Sequence, residues 1–494
     1  MKLAALALVL CTLSFSLAAQ QASDPIRLDP KNPHYFLYNG KATVLITSGE
    51  HYGSVINPDF NYHKYLAALQ SDGLNYTRLF PGSYVEVPGT SFGIQRNTIA
   101  PPGDRLLLPW VRSAEPGYAG GGNKFDLTQW DPRYFQRLHD FLEEAQQHDV
   151  VVEISLFSSQ YGDVQWSVSP FNAANNVNHT TLAADRRTIN TLNNGNLLAL
   201  QERYVRKLVH QANAFPNVIF EIQNEPWSDH PEIDDVINPY LPKSTRDQYP
   251  NSVEVADSDS IAWQSRVAEW ITSEEAQLPH LHPIAQGYSN FRLPVRKLVD
   301  GVSIVNFHYA YPEAVTWNYG LGKAIAYDET GFLGRGDDAY RRQAWNFMLA
   351  GGSTFDGLDY SFTVGFEDGT DTEPNGPGGG SPAFRKQLGI LQTFLAALPL
   401  EEMQPDYAVV THAEGVTAHV LSSPHGAYAF YLDGKGPSRI TLRLPAGNYG
   451  GEWLNIVTGE KKTLTNLQST GAETTLEAPP FDSGIALHLT RALD

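Results

Sequence analysis

The sequence predicts an α/β chain, a (β/α)8 barrel followed by a small all-β sandwich. Three observations carry this. Between about residues 40 and 400, short apolar runs alternate with amphipathic stretches of helical period. Such alternation implies a parallel sheet with helical crossovers. The apolar runs number eight, which fits a closed barrel better than an open sheet. From about Gln404 the pattern changes to short strands separated by turn signals such as DGKG and PAGNYG, the mark of a sandwich.

The eight candidate strands are 44–48 (VLITS), 74–79 (LNYTRL), 150–157 (VVVEISLF), 218–223 (VIFEIQ), 283–287 (PIAQG), 302–308 (VSIVNFH), 324–328 (AIAYD) and 353–360 (STFDGLDY). Helical patterns occupy 62–70, 134–147, 197–213, 261–275, 340–349 and 384–398. The fifth and sixth connections carry no clear helical pattern. Long loops follow three strands, at 81–129, 158–194 and 227–260. In a barrel of this kind the loops after the strands surround the active site, so their length predicts a built-up cleft. The run PNGPGGG (374–380) reads as a connector after the eighth strand. In the C-terminal part, strands are expected at 407–411, 416–421, 427–432, 439–444, 451–455, 473–476 and 484–488. The expected division is 1–19 leader, 20–403 barrel and 404–494 sandwich.

The leader reads MKLAALALVLCTLSFSLAA: Lys2, an apolar run, then the small residues Ser16, Ala18 and Ala19. That is the pattern of a secretory signal peptide and predicts a secreted or periplasmic protein. Cys11 lies inside the apolar run rather than at its end, so no lipid anchor is expected. It is the one cysteine of the chain. The mature protein then has no disulfide, thiol nucleophile or thiolate metal site. A net charge of −19 argues against nucleic acid or an anionic membrane as partner. No HExxH or phosphate-cradling glycine loop is present, and no cofactor is expected.

The chemistry is expected where strands end. FEIQNEPW (220–227) carries a buried-looking strand straight into Asn224 and Glu225, and AIAYDETGF carries another into Glu329. Polar groups at the C-terminal ends of barrel strands face the catalytic pocket. The barrel therefore brings Glu225 of the fourth strand and Glu329 of the seventh together across it. Two carboxyl groups flanking a sugar–oxygen bond are what glycoside hydrolysis requires, at about 5–5.5 Å for a retaining pair. One gives a proton to the leaving oxygen and the other attacks the anomeric carbon.

Asn-Glu-Pro after an apolar strand, followed about a hundred residues later by a strand-end Glu-x-Gly, resembles the clan of retaining glycosidases with catalytic glutamates on strands four and seven. Cellulases and mannanases of the family 5 type belong to that clan. The resemblance covers roughly residues 25–400. It implies that Glu225 is the general acid/base, Glu329 the nucleophile, and Asn224 the amide that holds the sugar 2-hydroxyl. It implies that Arg78, in GLNYTRLF, keeps the nucleophile ionised. His308 with Tyr309 or Tyr311, in VNFHYAY, resembles the pair lining the same pocket; Tyr311 has the family's spacing and Tyr309 follows directly. Where the family often has a tryptophan after strand eight, this chain has Asp359, Tyr360 and Phe362. The implied partner is a carbohydrate.

Other residues enter as candidates on their own chemistry. Glu50 and His51, in TSGEHYG, sit at the end of the first strand and are expected to bind sugar or to hydrogen-bond structurally. Asp328 competes with Glu329, because adjacent strand residues point opposite ways. Glu153 and Glu221, inside strands, read as partners within the barrel. Aromatic rings stack on sugar C–H faces. The loops carry Tyr84, Trp110, Tyr118, Tyr161, Trp166, Trp227 and Trp317; Trp227, beside the acid, is the expected platform. Asp368, Asp371 and Glu373 read as a solvated acidic loop rather than a calcium site. The sandwich is expected to pack on the barrel, since no row of exposed aromatics marks a binding face. A sugar-binding protein without turnover is the other function class.

Overall fold

A computed structural model describes residues 24–49, 52–180, 185–235, 252–373, 376 and 378–492. The expected leader (1–19) and the candidates Glu50 and His51 lie outside the described residues. Eight parallel strands form the core: β1 (Leu45–Ile46), β2 (Tyr76–Leu79), β3 (Val151–Ser158), β4 (Val218–Asn224), β5 (Ile284–Asn290), β6 (Ile304–His308), β7 (Ala324–Glu329) and β8 (Thr354–Phe355). Their order is 1-8-7-6-5-4-3-2. Asn75 closes the ring between β1 and β2. Its backbone N–H donates to Ile46 O (3.2 Å), Ile46 N–H donates to its Oδ1 (2.9 Å), and its Nδ2 donates to Val44 O (2.8 Å). A side-chain amide thus takes the place of a missing ladder rung, leaving no open edge there.

The helices Tyr62–Ser71, Pro132–Gln147, Leu197–Ala212, Ser258–Glu275, Asp337–Leu349 and Pro382–Ala396 match the six periodic stretches. The sixth connection is the short helix Pro312–Asn318, and the fifth has no helix, which is why neither had a visible pattern. Two of the long loops contain hairpins, Trp110–Pro116 with Asn123–Trp130 and Pro231–Asp235 with Ser252–Ala256.

Strand alternation sorts the side chains. Val152, Ile154, Phe220, Ile222, Val305 and Phe307 point outward into the main core with the helices. Inside, Tyr76, Val151, Ile219, Ala285, Ile304 and Ala324 form an apolar floor, sealed from below by Ile26, Phe36 and Tyr38 of the N-terminal segment. One alternation step further along, the inward positions turn polar: Arg78, Glu153, Glu221 and Asn306, all buried. The functional end of the barrel therefore stands on an apolar floor with an ionic layer above it.

The C-terminal strands form a six-stranded and a three-stranded antiparallel sheet. Alternation along Ala427–Gly434 splits its residues. Tyr428, Phe430 and Leu432 face the sandwich core, while Ala429 and Tyr431 join the core of the barrel. Tyr431 packs on Trp345 with ring centroids 5.5 Å apart, and Arg342 pairs with Asp433 at 2.7 Å. Besides the two-residue strand Gln404–Pro405, the strand Lys461–Ser469 was not expected. It is a largely exposed edge strand whose polar sequence shows no apolar alternation. Among the described residues, no helix is long and apolar enough to cross a membrane.

Candidate active site

Glu225 begins where β4 ends. Its backbone is left-handed (φ 47°) and starts a tight turn at Pro226–Ser228. Ser159 Oγ donates to its carbonyl at 2.6 Å. A non-glycine residue in this region costs on the order of 1–3 kcal/mol and persists where surroundings enforce it. Part of the enforcement is Gly287 on β5, where a Cβ would lie 2.8 Å from Gln223 O and 3.1 Å from Pro226 Cδ.

Glu329 ends β7 next to a bulge. Phe307 pairs with Tyr327 and His308 with Glu329, so Asp328 is skipped. The bulge lets Asp328 and Glu329 both contact residues inside the barrel although they are neighbours, a known use of bulges beside active sites. Tyr309 O–H donates to Glu329 Oε1 (2.7 Å) and Tyr52 O–H to Oε2 (3.1 Å). His308 Nδ1–H donates to Glu225 Oε1 (3.0 Å) and lies 3.5 Å from Glu329 Oε1. One carboxylate oxygen of Glu225, one ring nitrogen of His308 and one carboxylate oxygen of Glu329 lie within 4.8 Å of one another.

Arg78 is buried, and its closest partners differ from the expected one. Nη2 donates to Glu221 Oε2 (2.6 Å) and Asn224 Oδ1 (2.9 Å), and Nη1 to Tyr52 O–H (2.6 Å). Glu329 is 3.8 Å away, so the arginine reaches it chiefly through Tyr52. Asn224 Nδ2 donates to Tyr161 O–H at 2.8 Å.

The charges follow from these contacts. Burial alone would raise the Glu329 carboxyl. The charge and hydrogen bond of His308, then Arg78 and Tyr309, outweigh it and hold the group below its ordinary value. Burial would lower His308, but the charges of Glu329 and Asp328 and the hydrogen bond to Glu225 lift it well above the usual histidine range.

One pocket takes in both Glu225 and Glu329. Asn224, Tyr309 and Tyr360 line it, together with Tyr52, Tyr84, Tyr161, Asp359 and Phe362. Two expectations are corrected. Trp227 is 1% exposed, because the left-handed turn at Glu225 sends its ring edge-on against His308, 5.4 Å away; it is a packing residue. Tyr311 is 49% exposed and sits beside Arg292, away from the lining. Tyr309 contacts the carboxylate instead, because its own left-handed backbone (φ 50°) turns the ring back over β7.

Of the loop aromatics, Trp110, Tyr118 and Trp166 are buried in loop packing and Trp317 is partly exposed near Arg292. The acidic loop is not uniformly solvated. Asp368 is exposed, but Asp371 is buried and pairs with Arg96. Sequence reasoning missed Tyr52, Glu86, Phe92 and Phe332. Tyr52 directly follows the strand-end Glu50-His51, and Phe332 follows the Glu-x-Gly of Glu329, so position was the available signal.

No known family profile matches the chain, and no curated protein matches it in sequence. Its structure is similar to that of a candidate glycoside hydrolase from Bacteroides vulgatus ATCC 8482, with TM-score 0.62 and 11% identity over 95% of this chain and 82% of that one. A glycoside hydrolase family 5 structure from the same organism has TM-score 0.61 and 9% identity, over 94% and 93%. A third, described as a glycoside hydrolase, has TM-score 0.59 and 11% identity, over 95% and 97%. At such identities the likeness establishes the shared fold, a barrel with a C-terminal β-sandwich.

Proposed function

We propose that the protein is a retaining β-glycoside hydrolase that works by double displacement. The observation that carries the reading is that one oxygen each of Glu225 and Glu329 come within 4.8 Å of one another and both residues line one pocket. Retaining pairs stand about 5–5.5 Å apart and inverting pairs about 6.5–9.5 Å. Glu329, held anionic by Tyr309, Tyr52 and His308, attacks the anomeric carbon. The bond to the leaving oxygen breaks as Glu225 delivers a proton to it, giving a glycosyl ester on Glu329. Esterification removes the charge at Glu329, and Glu225 takes a proton from the water that cleaves the ester. Two inversions at one carbon return the original configuration. Asn224 is assigned to the sugar 2-hydroxyl, and Arg78 acts through Tyr52 and Asn224. No cofactor enters any step. The leader at 1–19 is assigned to export, and 20–403 and 404–494 to the two domains.

The test is a panel of aryl β-glycosides with Glu329→Ala. The variant should lose turnover by orders of magnitude, and azide should restore it with an inverted glycosyl azide as product. Near-normal turnover without azide would overturn the assignment.

A further inference from the structure

The compartment that holds Glu329 is walled on one side. Ile94 and residues 96–99 of the loop after β2 line that side, and Arg96 is 2.5 Å from Asp371 in the segment after β8. Thr363 Oγ1 donates to the same Asp371 oxygen at 2.6 Å. β1 lies between β2 and β8, so the ion pair spans the barrel mouth above β1. Residues 53–57 of the loop after β1 pack beneath. Asn57 Nδ2 donates to Thr98 O at 3.0 Å, and a Cβ on Gly53 would lie 2.2 Å from that oxygen. These contacts join the three loops into one barrier among the described residues. Polar groups stand in front of it: Glu86 accepts from Tyr84 O–H (2.8 Å) and from Asn97. A terminal sugar presents free hydroxyls that an internal residue spends on linkages, and a buried polar wall is matched only by a ligand that bonds to it. The other margin is open. Phe92 (44% exposed) and Phe332 (52%) both line the pocket and both have left-handed backbones.

The sugar that becomes bonded to Glu329 must occupy this walled compartment. We propose that it admits only the end of a carbohydrate chain, so that the protein releases one terminal sugar at a time, with the Arg96–Asp371 pair as the closure. This inference rests on the hydrolase reading above. The test follows products from reduced β-linked oligosaccharides and from soluble β-glucan and mannan, alongside aryl β-glycosides. The wild type should release monosaccharide alone and leave polysaccharide viscosity unchanged. Arg96→Ala and, separately, Asp371→Asn should add longer products and a fall in viscosity, with thermal melts verifying the fold. Internal scission by an active wild type would overturn the inference and leave the hydrolase reading intact. An unchanged monosaccharide pattern in both folded variants would overturn the role of the ion pair. Absence of release from every β-glycoside would overturn the hydrolase reading itself.

Discussion

Two groups of three ionisable residues sit one above the other in the barrel. Glu225, His308 and Glu329 lie at its mouth, and Glu153, Glu221 and Asp328 in its interior; in each group the polar atoms come within 4.8 Å of one another. The difference lies in what occupies the oxygens. In the lower group Glu153 accepts from Tyr76 (2.8 Å) and Asn306 (2.8 Å), while Glu221 accepts from Arg78 (2.6 Å), Ser155 (2.5 Å) and Asn306 (3.1 Å). Every oxygen of that pair is taken, and the guanidinium already supplies the cation; Asp328, whose carboxylate has no hydrogen bond, is fully buried 3.4 Å from Arg78 and 3.6 Å from His308. In the upper group Tyr52, Tyr309 and His308 hold the carboxylates from one side, and the other side faces the pocket. Carboxylate proximity is thus common to both groups; access to a ligand distinguishes them.

The comparison breaks most visibly under paired substitutions. Glu329→Gln should lower turnover by at least about a thousandfold, roughly 4 kcal/mol of barrier, without lowering the melting temperature. Glu221→Gln should do the reverse in kind. It unbalances a buried arginine and should cost about 3–5 kcal/mol of stability, read by denaturant unfolding. A stable Glu221 variant, or an active Glu329 variant, would erase the distinction between the two layers.

A smaller effect sharpens the link between the layers. Tyr52→Phe removes the hydroxyl that joins Arg78 to Glu329. Hydrogen bonds to charged groups contribute about 1.5–3 kcal/mol, so kcat should fall about tenfold to a hundredfold. The acid limb of the rate profile should also move to higher pH, because an anion that loses a donor protonates more easily. A drop in kcat with the limb unmoved would mean that Tyr52 serves the substrate rather than the carboxylate.

Much of this arrangement was legible in the sequence. The eight strands declared themselves as apolar runs, and Glu225 and Glu329 by standing where those runs stop. What stayed hidden depends on backbone geometry that period and composition do not encode. The bulge at Asp328 lets two neighbouring acids both serve the interior, which strict alternation forbids. The left-handed backbones of Glu225 and Tyr309 bury Trp227 and choose Tyr309 over Tyr311. Edge strand Lys461–Ser469 escaped because its exposed, polar sequence lacks the apolar signal on which strand reading depends.

A pH series tests the lower layer alone. Burial first, then the neighbouring Glu221 and Asp328, push the Glu153 carboxyl up to about 8, with Arg78 and Asn306 opposing. In the unfolded chain the same group titrates near about 4.3. Below that pH both states carry the proton, and its stabilising contribution is complete. As pH rises toward 8, the unfolded chain releases the proton while the folded one keeps it, so folding must take a proton up and stability declines. Glu153→Gln leaves a neutral side chain of the same shape that never titrates. Its stability relative to wild type should therefore rise with pH across that window, read as unfolding midpoints at a series of pH values. His308, whose raised value also weakens the fold at higher pH, is present in both proteins and drops out of the difference. An identical pH slope in the two proteins would put the titrating proton on another member of the cluster, and the claim that Glu153 is the protonated acid of the lower layer would fall.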